Sequence, residues 1–142
     1  MNLKWSSLDR WSDLGLLIIR VGVGALFMCV HGYPRLMGGP DKWNSVGRAV
    51  SYLDIKFGYT TWGLAASLIM TFGGALLIAG LAHRPASLGL FVTMAVASIW
   101  KYFPNLGVTG GWGAADHPVA MAVVCLGLLF TGPGKYSLDA RT

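Results

Sequence analysis

The sequence predicts an all-α, polytopic membrane protein: a four-transmembrane-helix bundle with a short interfacial amphipathic helix between helices 1 and 2. Of its 142 residues, 54% are hydrophobic and 12% are charged, whereas soluble domains carry about 25% charged residues. Four long apolar stretches are separated by segments rich in Gly, Pro and charge. About 20 apolar residues suffice to cross the bilayer core, so each stretch is a candidate span.

The first predicted membrane helix covers residues 14–33 and contains a single charge, Arg20. At about 100° per residue, Arg20, Gly24, Phe27 and His31 share one face of an α-helix. A cation inside hydrocarbon costs about 2.5–3.5 kcal/mol on insertion scales, so it usually faces protein or water and often marks a site. A guanidinium near the helix start can also snorkel to the interface or bind a neighbouring helix. Both interpretations of Arg20 stay open.

The second predicted helix is the short amphipathic one, over residues 41–57. Its apolar side chains recur at steps of three and four while its lysines and arginine point elsewhere, and Asp41 is placed to cap its N-terminus. It is too polar to span a membrane. We expect it to lie in the interface or to pack over the mouth of the bundle.

Two further membrane helices, residues 59–82 and 86–103, are joined by a tight turn and are therefore antiparallel neighbours. Small residues at helical spacing predict close helix packing, with hydroxyls bonding across the interface. This packing stripe comprises Gly63, Ser67, Thr71, Gly74, Gly89 and Thr93. Aromatic residues at the membrane boundary favour interfacial positions, and the predicted anchors are Trp43, Trp100 and Tyr102.

A glycine-rich loop, residues 104–116, precedes the fourth predicted membrane helix, residues 117–131. It lacks the strand and spacing of a phosphate-binding loop. Asp116 is placed to cap the fourth helix, with Pro118 in its first turn, although the helix could also start within the loop. A polar tail, residues 132–142, completes one membrane domain.

The charge pattern limits the partners of the chain. Its net charge of +5 suits anionic lipid headgroups better than nucleic acid, and no nucleic-acid module is recognisable. Cys29 and Cys125 lie in apolar segments without metal-ligand spacing, so we predict apolar fillers and no metal site. Lysines and arginines outside the spans divide five against five between the two sides, so the positive-inside rule does not set the orientation. We place the protein in the inner (cytoplasmic) membrane of the cell, as a multi-pass protein with both termini in the cytoplasm.

Candidate ligand-binding residues gather mainly on the side that carries the long linker and the glycine-rich loop. We predict that a site would open there, and the candidates are Arg20, His31, Arg35 and His117. Two chemistries could use them. Arg20 and His31 could donate hydrogen bonds to the carbonyls of a quinone, or His31 and His117 could supply two axial ligands to a haem. No predicted span holds a carboxylate, which argues against a proton-coupled carrier.

Three stretches together resemble the DoxX family of small four-helix membrane proteins. They are Phe27-x-x-x-His31-Gly32-x-x-Arg35-Leu36 at the exit of the first helix, the glycine-rich run Gly73–Arg84, and the tail Gly132-Pro133-Gly134-Lys135-Tyr136-Ser137-Leu138-Asp139. The resemblance implies a bacterial or archaeal membrane protein, and some relatives are subunits of thiosulfate:quinone oxidoreductase. Family members often carry a glutamate where this chain has Met70, and a histidine where it reads Trp100-Lys101-Tyr102.

Three functional hypotheses follow from the residues and the resemblance. The first is a non-catalytic accessory subunit of a larger membrane complex, redox or energy-converting, with other membrane subunits as partners. The second is a quinone-linked redox subunit of the thiosulfate:quinone oxidoreductase type. The third is a small transporter. No nucleophile–base pair indicates hydrolysis, and the chain is not expected to be an enzyme on its own.

Overall fold

The computed structural model describes residues 11–103 and 110–141, and the regular elements in these residues are all helical. The α-helices are α1 (Ser12–Ala25), α2 (Tyr33–Leu36), α3 (Gly39–Gly47), α4 (Tyr59–Ala79), α5 (His83–Tyr102) and α6 (Trp112–Thr131). The prediction of an all-α fold is confirmed. Residues 104–109, which hold much of the predicted glycine-rich loop, lie outside the described residues.

Three helices in the described part of the chain are long and apolar enough to cross a membrane. They are Ser12–Leu36, Tyr59–Ala79 and Trp112–Thr131, and they confirm the prediction of a membrane protein. Helix α5 has a similar length of 20 residues, but it carries His83, Arg84 and Lys101 near its ends. A fourth crossing, by α5, stays a prediction.

A π-helical segment, Leu26–Gly32, joins α1 to α2, so that one first long helix runs continuously over Ser12–Leu36. Pro34 is the second residue after this segment; it has no N–H to donate to the preceding turn, and its ring crowds that turn. A wider π turn is one way to relieve such a break in the hydrogen-bond ladder. Because a π-helix turns less per residue than an α-helix, His31 does not continue the face on which Arg20 lies.

The predicted amphipathic helix over residues 41–57 is wrong in its extent. Helix α3 ends at Gly47, a 3-10 helix follows over Arg48–Leu53, and Asp54 ends it in the left-handed conformation with φ 61°. Asp41 lies in the first turn of α3 and makes no side-chain cap, since the N-cap is Gly38. Its charge still favours the positive end of the helix dipole.

Glycines bring helix backbones into direct contact at two crossings. A Cβ on Gly63 of α4 would overlap the carbonyl oxygen of Trp43, and one on Gly47 of α3 would overlap that of Tyr59. Between the first long helix and α4, a Cβ on either Gly24 or Gly74 would lie 2.6 Å from the other's carbonyl oxygen. Such close approach strengthens van der Waals packing inside a bilayer, where the hydrophobic effect does not drive helices together.

The hydroxyls of the packing stripe bond within their own helices. Ser67 Oγ donates to the Gly63 carbonyl, and Thr71 Oγ1 donates to the Ser67 carbonyl, both at 2.8 Å. Thr93 Oγ1 donates to the Gly89 carbonyl in the same way. The expectation that they bond across the interface is therefore wrong. A hydroxyl in a helix can always reach the carbonyl one turn back, and this satisfies it without a partner helix.

The last helix starts earlier than predicted. Helix α6 begins at Trp112, with Gly111 as its N-cap, so Asp116 lies inside the helix and does not cap it. The expectation that no membrane segment holds a carboxylate is thus wrong near this helix start. Pro118 lies well inside the helix, and not in its first turn.

The long helices pack in chain order, with the first long helix against α4, α4 against α5, and α5 against α6. The core consists of fully buried apolar side chains from all of them, including Phe27, Met70, Leu77, Leu90 and Cys125. Cys125 therefore fills the core, while Cys29 is exposed on the outer surface. The first long helix and α6 face each other across the remaining side of the bundle.

Candidate functional site

His31 and His117 meet across the first long helix and α6. Their Nε2 atoms lie 3.2 Å apart, and the two rings meet edge to edge in nearly parallel planes, with centroids 5.3 Å apart and an interplanar angle of 12°. His31 is half-buried and His117 is exposed. Sequence reasoning predicted that both lie near the same membrane face, and the structure brings their side chains into contact.

The backbone sets the tautomer of His31 in this pair. Its Nδ1 lies 3.2 Å from the Leu26 carbonyl oxygen, and a carbonyl accepts hydrogen bonds only, so Nδ1 carries the proton. In the neutral pair His31 Nε2 is then an acceptor, and His117 Nε2–H donates to it. His117 Nδ1 takes no part in this hydrogen bond, whereas His31 Nε2 must stay without a proton for the bond to form.

The pair does not fit the two axial positions of a haem in this arrangement. Axial ligands approach the iron from opposite faces of the macrocycle, whereas these two Nε2 atoms are in direct hydrogen-bond contact at 3.2 Å and leave no room between them for an iron and its macrocycle. No group of three or more His, Cys, Asp or Glu side chains suited to a metal ion occurs within residues 11–103 and 110–141.

Arg35 lies one helical turn beyond His31 and turns towards α4. Its Nη1 atom lies 3.1 Å from the sulfur of Met70. The indole N–H of Trp43 donates to the carbonyl oxygens of Arg35 and Leu36, at 3.1 Å each. Trp43 was predicted as an interface anchor, and its polar edge is used here to close the end of the first long helix.

Arg20 lies apart from these residues, at the other end of the bundle. Its side chain is 1% exposed, and its guanidinium donates to the carbonyl oxygens of Pro133 and Tyr136 at 2.5 and 2.6 Å. The structure therefore does not join Arg20 to the His31 site. Arg20 and His31 were predicted to share a face because the helix was assumed to be a uniform α-helix. The π segment changes that rotation, and the tail folds back onto Arg20.

Sequence reasoning missed the residues that hold this tail in place. Asp139 accepts hydrogen bonds from the backbone N–H groups of Ala82 and His83, both at 2.9 Å, and so caps the N-terminus of α5. These bonds, His83 first, lower the pKa of the Asp139 carboxyl. The buried His83 ring lies 2.9 Å from the Leu128 carbonyl oxygen through Nε2. The sequence signal for this contact was the run Ser137-Leu138-Asp139 in the tail, and it did not identify the residues that Asp139 binds.

A groove separates the first long helix from α6 between these two polar ends. It has a volume of about 690 Å³ and is almost entirely apolar. Gly22 and Gly127 contribute to its lining, and a Cβ on either would meet nothing within 4 Å. The bundle is thus incompletely packed on this side.

The other two predicted interface anchors belong to a chain of aromatic contacts. Tyr102 packs edge-on against Trp112 at 5.1 Å between centroids, and against Phe103 at 5.4 Å. Tyr52, from the 3-10 helix, joins Phe103 to Trp100. The cluster ties the linker to the adjacent ends of α5 and α6, at the depth where aromatic rings favour the membrane boundary.

Comparison with known proteins gives one family and one curated relative. A family model described as DoxX matches residues 15–103. The chain is 26% identical over 163 positions to an uncharacterized membrane protein, Rv3486, of Mycobacterium tuberculosis (strain ATCC 25618 / H37Rv), and the match covers 99% of this chain and 93% of that protein. No solved structure matches.

Proposed function

Because the chain belongs to the DoxX family of membrane proteins, we propose that it is a non-catalytic accessory subunit of a larger redox or energy-converting complex in a bacterial inner membrane. The groove between the first long helix and α6 carries this proposal. The two helices border an open groove of about 690 Å³ that no described side chain fills. A helix of another subunit would complete the packing there.

The chemistry of the groove suits a partner helix. Gly22 and Gly127 leave room for a second backbone to approach, as small residues do at membrane helix interfaces. The neighbouring Ile18 and Ile19 are 64% and 49% exposed, which provides apolar contact area on the rim. Such a surface is stabilised by van der Waals packing against another helix, and that helix needs no polar side chains to bind it.

The polar groups inside the bundle support a scaffold role. Arg20 is used to bind the tail, and the hydroxyls of Ser67, Thr71 and Thr93 bind their own helices. These side chains hold the bundle together. None of them is presented to a substrate.

Purification of the tagged chain from its native membrane in a mild detergent tests the proposal. Mass spectrometry should find stoichiometric membrane subunits. Gly22→Leu and Gly127→Leu, which fill the groove, should release them, while Gly15→Leu should not, because Gly15 is equally open on the same helix but lies outside the groove. Recovery of the wild type alone from every mild detergent would contradict the proposal.

A quinone-linked subunit is the second candidate, and the His31–His117 pair favours it. With a proton on His117 Nδ1, the pair would present a ring N–H at an exposed position without breaking its internal hydrogen bond, and a quinone carbonyl requires such a donor on reduction. The protein purified with its lipids should then contain quinone, measured by extraction and chromatography. His31→Ala and His117→Ala should each deplete it, and Arg48→Ala on the exposed linker should not. Unchanged quinone in both histidine variants would refute the assignment.

A further inference from the structure

The Arg35 guanidinium has no anionic partner among the described residues. The ion pairs found there join Lys56 to Asp54 and Lys135 to Asp13. The polar contact of the Arg35 side chain is with the Met70 sulfur, a weak and uncharged acceptor. A half-buried cation at the edge of hydrocarbon gains strongly from a counter-ion.

Two ring systems that can form hydrogen bonds lie beside Arg35. His31 lies four residues before it, so their side chains are neighbours on one helix, and His117 reaches His31 from α6. His117 is exposed, so the cluster is open to the membrane surface.

The backbone that carries Arg35 is held firmly. The Trp43 indole binds the carbonyl of Arg35 itself. One turn earlier, Gly32 lies so close to α4 that a Cβ would come within 2.5 Å of the Thr71 backbone nitrogen. A guanidinium on a fixed backbone loses less entropy when it binds a ligand.

We propose that Arg35, with the His31–His117 pair, forms a binding site for a phosphate-type oxyanion at the end of the first long helix. The planar guanidinium matches two oxygens of a phosphate. The end of a membrane span lies at the depth of lipid headgroups, so the oxyanion belongs either to an anionic phospholipid or to free phosphate. This site is independent of the groove and of the accessory role.

Native mass spectrometry of the full chain in detergent tests the site, with short-chain phosphatidylglycerol and inorganic phosphate as separate probes. One of these probes is expected to bind the wild type. Arg35→Gln should weaken the affinity for that probe about tenfold or more, because it removes a charge-assisted pair of hydrogen bonds. Arg48→Gln is the matched control, since Arg48 is an exposed arginine bonded to Asn44, and it should bind as the wild type does.

A second variant tests the same site while Arg35 is kept. Met70→Glu places a carboxylate where the sulfur lies 3.1 Å from Arg35 Nη1, so it should supply an internal counter-ion and weaken binding to a similar extent. Circular dichroism establishes that each variant is folded.

The two probes separate the two sources of the oxyanion. Phosphatidylglycerol that inorganic phosphate does not displace identifies a lipid site, and phosphate binding without lipid binding identifies a free-ion site. The proposal is overturned if neither probe binds the wild type, or if binding is unchanged in whichever of Arg35→Gln and Met70→Glu is folded.

Discussion

Arg20 binds the backbone of Tyr136, with 2.6 Å between its Nη2 atom and the Tyr136 carbonyl oxygen. The contact joins the first long helix to the segment that follows the last one. A buried cation is thereby satisfied by backbone carbonyls, and the tail is held against the bundle. Several properties of the protein depend on this contact and on the others described above.

Replacing Arg20 should destabilise the bundle. Arg20→Ala removes the donor of two part-buried hydrogen bonds and leaves a cavity at a buried side chain, for which we expect a loss of about 2–4 kcal/mol in the free energy of unfolding. Unfolding in a mixed-detergent titration measures it. Arg84→Ala, at an exposed arginine near the same end, should change stability little. Equal losses in the two variants would argue against the role of the tail contact.

The Asp139 cap should make stability depend on pH. Hydrogen bonds from the His83 and Ala82 N–H groups lower the pKa of Asp139 in the folded protein. The stabilisation is therefore complete above the ordinary aspartate pKa of about 4. It is lost as the pH falls through the lower folded pKa.

Thermal unfolding between pH 2 and 7 measures this effect. Asp139→Asn should melt at a lower temperature than the wild type at pH 7, and the difference should shrink at the acid end. Asp54→Asn provides a matched control, because Asp54 pairs with Lys56 at the exposed surface. A constant difference between Asp139→Asn and the wild type over the whole range would contradict the expectation.

Adding a methyl group at Gly63 should separate two helices. A Cβ there would overlap the Trp43 carbonyl, so α3 must move away from α4, and we expect Gly63→Ala to cost at least about 2–3 kcal/mol. Gly127→Ala meets nothing within 4 Å and should stabilise its helix by up to about 1 kcal/mol. Unfolding titrations that rank the two variants the other way would show that the α3–α4 contact is wrong.

The two histidines should be energetically coupled. A double-mutant cycle with His31→Ala and His117→Ala at pH 8 should give a coupling of about 0.5–1.5 kcal/mol for the Nε2–Nε2 hydrogen bond. The control cycle pairs His31→Ala with Arg84→Ala at the opposite end and should give none. Additive effects of the two histidine substitutions would mean that the rings do not interact.

The positions of the long helices were predictable because they depend on local sequence. Long apolar runs predict membrane helices, and Gly and Pro residues mark where the helices end. Residues 59–82 and 86–103 were predicted as helices, and α4 and α5 end within a few residues of these bounds. The common location of His31 and His117 followed from the order of the segments. Their contact did not follow, since it depends on the side chains of two helices far apart in the chain.

The position of Arg20 and the tail could not be predicted for a physical reason. A helical face is extrapolated at constant rotation, and the π turn before Pro34 changes that rotation. Asp139 caps a helix that begins 56 residues earlier in the chain, and no local pattern identifies such a partner. Long-range hydrogen bonds of this kind are specified by the packed structure alone.

The tail contact also bears on the order in which the protein matures. During synthesis Arg20 enters the membrane early, whereas the carbonyls of Pro133 and Tyr136 that receive its hydrogen bonds are made after the last helix. Until those residues leave the ribosome, the guanidinium must depend on water, lipid headgroups or an insertion factor. The nascent bundle therefore holds a buried cation without its native partners until the tail has been made.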